Sequence, residues 1–189
     1  MEYSLRHTTN TGLHVIKLGF FNVSDEGSCI STMVNWWTGG NYGHVELRFS
    51  DGHTTSITES PGTIHYDPGK LLSNPNYRCF FEIAIDARKE AHMQDIAKRC
   101  YEAEIPFSKM AMIWNFLPIV GWCLPMRSDG RNFFFCSQYI TRLLQEGGLF
   151  MHLDADKTSP NDLYRAVLEA TKQGIATVSY NREYAHKMT

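Results

Sequence analysis

Asn132-Phe-Phe-Phe-Cys-Ser-Gln-Tyr-Ile-Thr-Arg-Leu-Leu-Gln-Glu-Gly-Gly148 is the stretch on which the fold turns. Three consecutive aromatics read as a buried, extended approach. From Cys136 onward, Ile140, Leu143 and Leu144 recur at helical spacing and stop at Gly147-Gly148, a C-cap signal. Cys136 is therefore expected at a helix N-terminus. Unpaired backbone N–H groups and the positive end of the helix dipole favour a thiolate there, so a pKa displaced down toward neutrality is predicted. A cysteine so placed becomes a nucleophile only if a base stands beside it; otherwise it packs as a small buried side chain.

The second informative stretch is Tyr42-Gly-His-Val-Glu-Leu-Arg-Phe-Ser-Asp-Gly-His-Thr-Thr-Ser-Ile-Thr-Glu59. Val45, Leu47 and Phe49 alternate with His44, Glu46 and Arg48, a strand with one apolar and one polar face. Asp51-Gly52 is a strong hairpin signal. With those two residues as the turn, paired positions sum to 103, and His44 lies opposite Glu59 at the roughly 5 Å Cβ separation of cross-strand neighbours. A carboxylate on one imidazole nitrogen fixes the tautomer and leaves the other nitrogen free to take a thiol proton. A three-residue loop would instead move Glu59 to the other face and leave Glu46, two residues along the strand, as the carboxylate on the side of His44.

Gly43-His-Val-Glu-Leu-Arg-Phe49, a carboxylate fifteen positions after the histidine, and Phe135-Cys-Ser-Gln-Tyr-Ile140 together resemble the circularly permuted papain-like enzymes of the NlpC superfamily. The similarity is to the YiiX-like branch, with its poxviral and other large-virus relatives. Its histidine strand precedes the cysteine helix, and Thr158-Ser-Pro-Asn-Asp-Leu163 is similar to its closing helix start. Gln138 stands where that branch has a glutamate. The resemblance spans residues 11 to 165 and implies an α+β fold with helices packed on an antiparallel sheet. It also implies a thiol hydrolase, a peptidase or amidase acting through an acyl-cysteine intermediate, with Cys136 as nucleophile, His44 as base and Glu59 as third member. Two alternatives stand beside it. One is a lipid acyl hydrolase or acyltransferase of the lecithin retinol acyltransferase type, although the Asn-Cys-Glu-His motif of that group is absent; the other is a non-catalytic host-interaction module.

The chain has 189 residues, 43% hydrophobic, 13% aromatic and 20% charged, the composition of one globular domain, expected over residues 1–180 with a flexible tail at 181–189. A net charge of -2 with no long basic run gives no electrostatic reason to expect nucleic acid. Five cysteines, Cys29, Cys79, Cys100, Cys123 and Cys136, are an odd number without CxxC spacing, which points to free thiols in a reducing compartment. That suits the cytoplasm, and the resemblance to large-virus relatives implies that of an infected host cell or packaging in a virion. The first residues lack the apolar core of a secretory signal. The uncharged segment Met110–Met126 is short for a span and broken by Pro118, Gly121 and Pro125, so it reads as core and substrate-side wall, with contact to a membrane surface as the lesser reading.

Other elements follow in order: a strand over His14–Phe21, a helix from Ser24 to Trp37, and a short strand at Ile64–Tyr66. Next come a buried strand over Tyr77–Ile85, a helix capped by Asp86 and running to Glu102, and a short helix from Ser108. Ser159 is an N-cap with Pro160 at N1 and Asp162 in the capping-box position, and Ile175–Tyr180 is a last strand. Tyr42, one strand repeat before His44, and Gln138, in the first turn of the cysteine helix, are candidate oxyanion donors beside the Cys136 N–H. Trp37, of the Trp36-Trp37 pair, is a candidate substrate-groove wall. Without HxxxH or CxxC pairs no metal is expected at His44, His53, His65 or the cysteines, and without a phosphate loop no nucleotide; no cofactor is implied. The substrate's identity and the oligomeric state are not legible in the sequence.

Overall fold

The computed structural model describes residues 12–22, 40–58, 62–68, 77–107 and 135–180. These form an α+β assembly. Six antiparallel strands make one sheet: β1 (Leu13–Asn22), β2 (Tyr42–Arg48), β3 (His53–Ile57), β4 (Ile64–Pro68), β5 (Tyr77–Asp86) and β6 (Ala176–Tyr180), in the spatial order β4-β3-β2-β1-β5-β6. Three helices accompany it, α1 (Ala87–Glu102), α2 (Cys136–Glu146) and α3 (Pro160–Lys172). The helix expected from Ser24 to Trp37, the Ser108 helix, the Met110–Met126 wall and the tail at 181–189 lie outside the described residues.

Strand alternation decides which side chains meet the helices. Ile16, Leu18 and Phe20 of β1, Val45 and Leu47 of β2, and Phe81, Ile83 and Ile85 of β5 are buried in one cluster with Met93 and Ala97 of α1, Tyr139, Ile140, Leu143 and Leu144 of α2, and Leu163 and Val167 of α3. Each of these large side chains, removed from water, contributes about 1.5–3 kcal/mol before ordering costs. Close packing of α2 favours a residue without a Cβ at Gly147, where an added methyl would lie 2.5 Å from Met93 Sδ and 3.0 Å from Ile85 Cδ1 and those side chains would have to shift.

Local signals fix the helix ends. Asp86 caps α1 by accepting from Arg88 N at 2.8 Å. Ser159 and Asp162 close a reciprocal capping box at α3, with Pro160 in the first turn, which satisfies N–H groups the helix cannot. Buried Glu90 of α1 accepts from Ser50 N at 2.6 Å and Ser50 Oγ at 2.8 Å. The β2–β3 turn is thereby pinned to the helix.

That turn departs from the two-residue reading. Phe49 N donates to His53 O at 2.8 Å and Gly52 N to Phe49 O at 3.0 Å, so Ser50, Asp51 and Gly52 form a three-residue loop whose last member adopts φ +96°. Gly52 supplies the positive φ that closes such a loop. Observed pairs are Leu47 with Thr55 and Arg48 with Thr54. Paired positions thus sum to 102, not 103, and by this count Thr58, not Glu59, faces His44. The opposition of His44 and Glu59 derived from a two-residue turn is corrected on that ground; Glu59 itself lies outside the described residues.

Candidate functional site

β1 pairs Phe20 with Val45 and Phe21 with His44, but Asn22 with Tyr42. One extra residue, Gly43, is therefore accommodated in β2. Such a bulge breaks alternation and re-aims the side chains on either side of it. Its effect is to put Tyr42 on the helix side, where its ring lies 5.7 Å from Phe20 and 4.4 Å from Tyr164. The expectation that Tyr42 shares a face with His44 fails here, because it assumed an unbroken period of two.

The bulged end of β2 is held from α3. Tyr42 N donates to Asn161 Oδ1 at 3.0 Å, and Asn161 Nδ2 donates to Tyr42 O at 2.9 Å. A single buried side-chain amide thus takes the place of a strand partner. Gly40 lets it approach, since a Cβ there would sit 2.1 Å from Asn161 Oδ1. Sequence reading saw the capping box around Asn161 and missed this clamp; spacing along one chain carries no signal for a contact across more than a hundred residues.

Cys136 is the first residue of α2, as expected from the sequence. It is 7% exposed, and its Sγ donates a long hydrogen bond, 3.9 Å, to Gly43 O at the bulge. A planar trans peptide puts that oxygen about 2.8 Å from the next Cα. The sulfur therefore lies within about 7 Å of His44 Cα, while the His44 side chain leaves β2 on the side opposite Val45 and the helices. No hydrogen bond joins thiol and ring among the described residues.

Burial pushes the Cys136 thiol up to about 11; the N–H groups of Val45, Ser137 and Cys136 itself act in the opposite direction and do not win. This corrects the expectation of a lowered thiol. A helix N-terminus stabilises a charge by about 0.3–2 kcal/mol, whereas removing a thiolate from water costs more. Burial likewise carries His44 down to about 4, with Glu46 opposing and His65 assisting. Thiol and imidazole are both neutral at physiological pH.

His44 shares its side of β2 with Glu46, and the described residues put a third group there. His65 Nε2 donates to Glu46 Oε1 at 3.0 Å, with Glu46 4% and His65 8% exposed. His65 pairs with Ser56 across β3–β4 and so reaches over β3 to β2. Sequence reading placed His65 on a short strand but gave it no role; its alternation with Ile64 and Tyr66 was the available clue, and it needed the strand order to become a contact.

Gln138 is committed elsewhere. Its Nε2 donates to Asp156 Oδ1 at 2.7 Å, and Arg142 also bonds that carboxylate. Burial alone would raise Asp156, but these two donors outweigh it and hold the carboxyl below its ordinary value. Gln138 thus ties α2 to the loop before α3 and does not donate toward the sulfur. Ser137 Oγ adds a second tie, donating to Thr158 O at 2.7 Å. Trp37 lies outside the described residues.

Among the described residues no three His, Cys, Asp or Glu side chains stand close enough to hold a metal ion, and no helix is long and apolar enough to cross a membrane. No family model, curated protein or solved structure matches the chain.

Proposed function

We propose that the chain is a thiol hydrolase of permuted papain-like topology, a peptidase or amidase in which Cys136 attacks a carbonyl and His44 moves the proton. The observation that carries this reading is the seating of the Cys136 sulfur, at the head of a helix, against the Gly43–His44 peptide of a bulged strand. The resemblance around Gly43–Phe49 and Phe135–Ile140 supports it, as does the observed antiparallel sheet with helices.

Two neutral partners suit general-base catalysis better than a standing ion pair. As sulfur bonds to the substrate carbonyl carbon, its proton passes to His44. The tetrahedral adduct then collapses, and His44 returns that proton to the leaving nitrogen or oxygen. Water next attacks the thioester carbon while His44 takes a proton from it, and the departing sulfur recovers the proton. The N–H groups of Val45, Ser137 and Cys136, which already favour negative charge at the sulfur, are the donors available to charge developing in the adduct.

The third, acidic member of the triad remains proposed as Glu59 or Glu46. The lipid acyl reading leans on Met110–Met126, outside the described residues, and gains nothing further. A non-catalytic docking role draws support from the thiol held near 11. An acyl-transfer activity probe separates these readings: labelling that disappears in Cys136→Ala supports the hydrolase, and labelling indifferent to that substitution ends it.

A further inference from the structure

Resting on that hydrolase reading, we propose that Glu46 and His65 are positioning residues for His44: His65 holds the Glu46 carboxylate on the His44 side of the sheet, where it steadies the imidazolium formed during proton transfer.

Geometry carries the argument. Glu46 and His65 are each more than nine-tenths buried and joined by a 3.0 Å hydrogen bond between β2 and β4. Burying an ionisable pair carries a desolvation penalty that mutual attraction must offset, and apolar side chains of similar size often serve stability as well or better. A sheet whose helix-facing side is filled with Ile, Leu, Val and Phe has no packing need for a Glu–His pair on the other. Buried ionisable pairs of this kind beside a titratable group in a recessed site are candidates for functional tuning.

Placement gives the pair its object. Residues two apart on a strand point the same way about 7 Å apart, so Glu46 and His44 share one side of β2. The three-residue loop, by shifting the register to a sum of 102, is what makes Glu46 the carboxylate on that side. Among the described residues, the titratable groups acting on His44 are Glu46 from its own strand and His65 from β4; β1 faces it with Phe21. Glu46 favours the charged ring and His65 disfavours it. His65 in turn bonds the Glu46 carboxylate at 3.0 Å.

The test follows the His44 ring by NMR through an acid titration, in the full chain carrying Glu46→Gln, His65→Gln or, as a control carboxylate on the same sheet side, Glu82→Gln. Removing the Glu46 charge should lower the His44 midpoint by about half a pH unit or more. Removing His65, and with it the hold on that carboxylate, should lower it by a smaller amount, and Glu82→Gln should leave it in place. A fall in both variants is the discriminating result, because a loosened, hydrated site would move both upward. A midpoint that stays put or rises in either variant overturns the proposal. Should Glu46→Gln not fold, the His65→Gln shift decides alone: a fall supports the proposal, and an unmoved or raised midpoint refutes it.

Activity is read separately. On an ester substrate, Glu46→Gln should reduce kcat roughly ten-fold with KM changed less than about two-fold. Lowered ring midpoints without any Cys136-dependent turnover would retain the coupling of the pair to His44 and discard the hydrolase. Turnover that depends on Cys136 and His44 but ignores Glu46→Gln, in a protein whose ring midpoint does not move, would do the reverse.

Discussion

Acidification is the sharpest probe of how dry the candidate site is. His44 titrates near 4 in the folded chain, against 6.5 for an ordinary histidine. Between those values the unfolded chain binds a proton at this position and the folded chain does not, so folding stability must fall as pH drops through the window. Above about pH 7 both states hold a neutral ring and the penalty vanishes. Integrating from about pH 7 to about pH 4.5 gives a loss of about 2.4 kcal/mol from this one residue. The ring is half-buried, so solvent screening reduces the figure to about 1–2 kcal/mol. Urea denaturation followed by tryptophan fluorescence at both pH values, on wild type and His44→Gln, isolates the term, since every other titrating group is common to the two proteins. Wild type should lose about 1–2 kcal/mol more than the variant on acidification. Equal losses, within about 0.5 kcal/mol, would show that His44 is hydrated and that desolvation does not govern the site.

Three further outcomes follow from the same geometry. With its thiol near 11, Cys136 holds a thiolate fraction of only about 3 in 10,000 at about pH 7.5, so mass-spectrometric alkylation by iodoacetamide should be roughly a hundred-fold slower than in urea-unfolded chain. Asn161→Ala removes both bonds to the Tyr42 peptide and should cost about 2–4 kcal/mol in denaturant unfolding, while any Cys136-dependent labelling falls with the loss of the bulge's anchor. Ser159→Ala deletes one arm of the α3 capping box and should cost about 1 kcal/mol without changing the His44 titration.

Local chemistry was legible in the sequence and long-range placement was not. Asp86 as a cap, the Ser159–Asp162 box, Cys136 at the head of α2 and the stop before Gly147-Gly148 depend on neighbours a few residues away, and each is present in the structure. The hairpin was read as two strands with the correct turn residues, yet one additional loop residue, with Gly52 at positive φ, moved every cross-strand partner by one. Tyr42 was misassigned because a bulge, invisible in the hydrophobic pattern, interrupts the period. The thiol was expected to ionise readily because a helix terminus can be seen in a sequence, whereas the burial that overrides it is set by the whole sheet. His65 and Asn161 act only through contacts that need the strand order and the docking of α3.

The surplus residue in β2 also sets how this region can vary. Gly43 lets one ribbon hang an aromatic ring into the oily side and an imidazole onto the polar side without a corner between them, so it behaves as a half-step phase shifter. Swapping neighbouring side chains changes local fit, but shortening the ribbon by this one link would turn the preceding residues inside out and detach them from their amide clasp. Chain length at that point is therefore a stricter requirement than residue identity on either side of it.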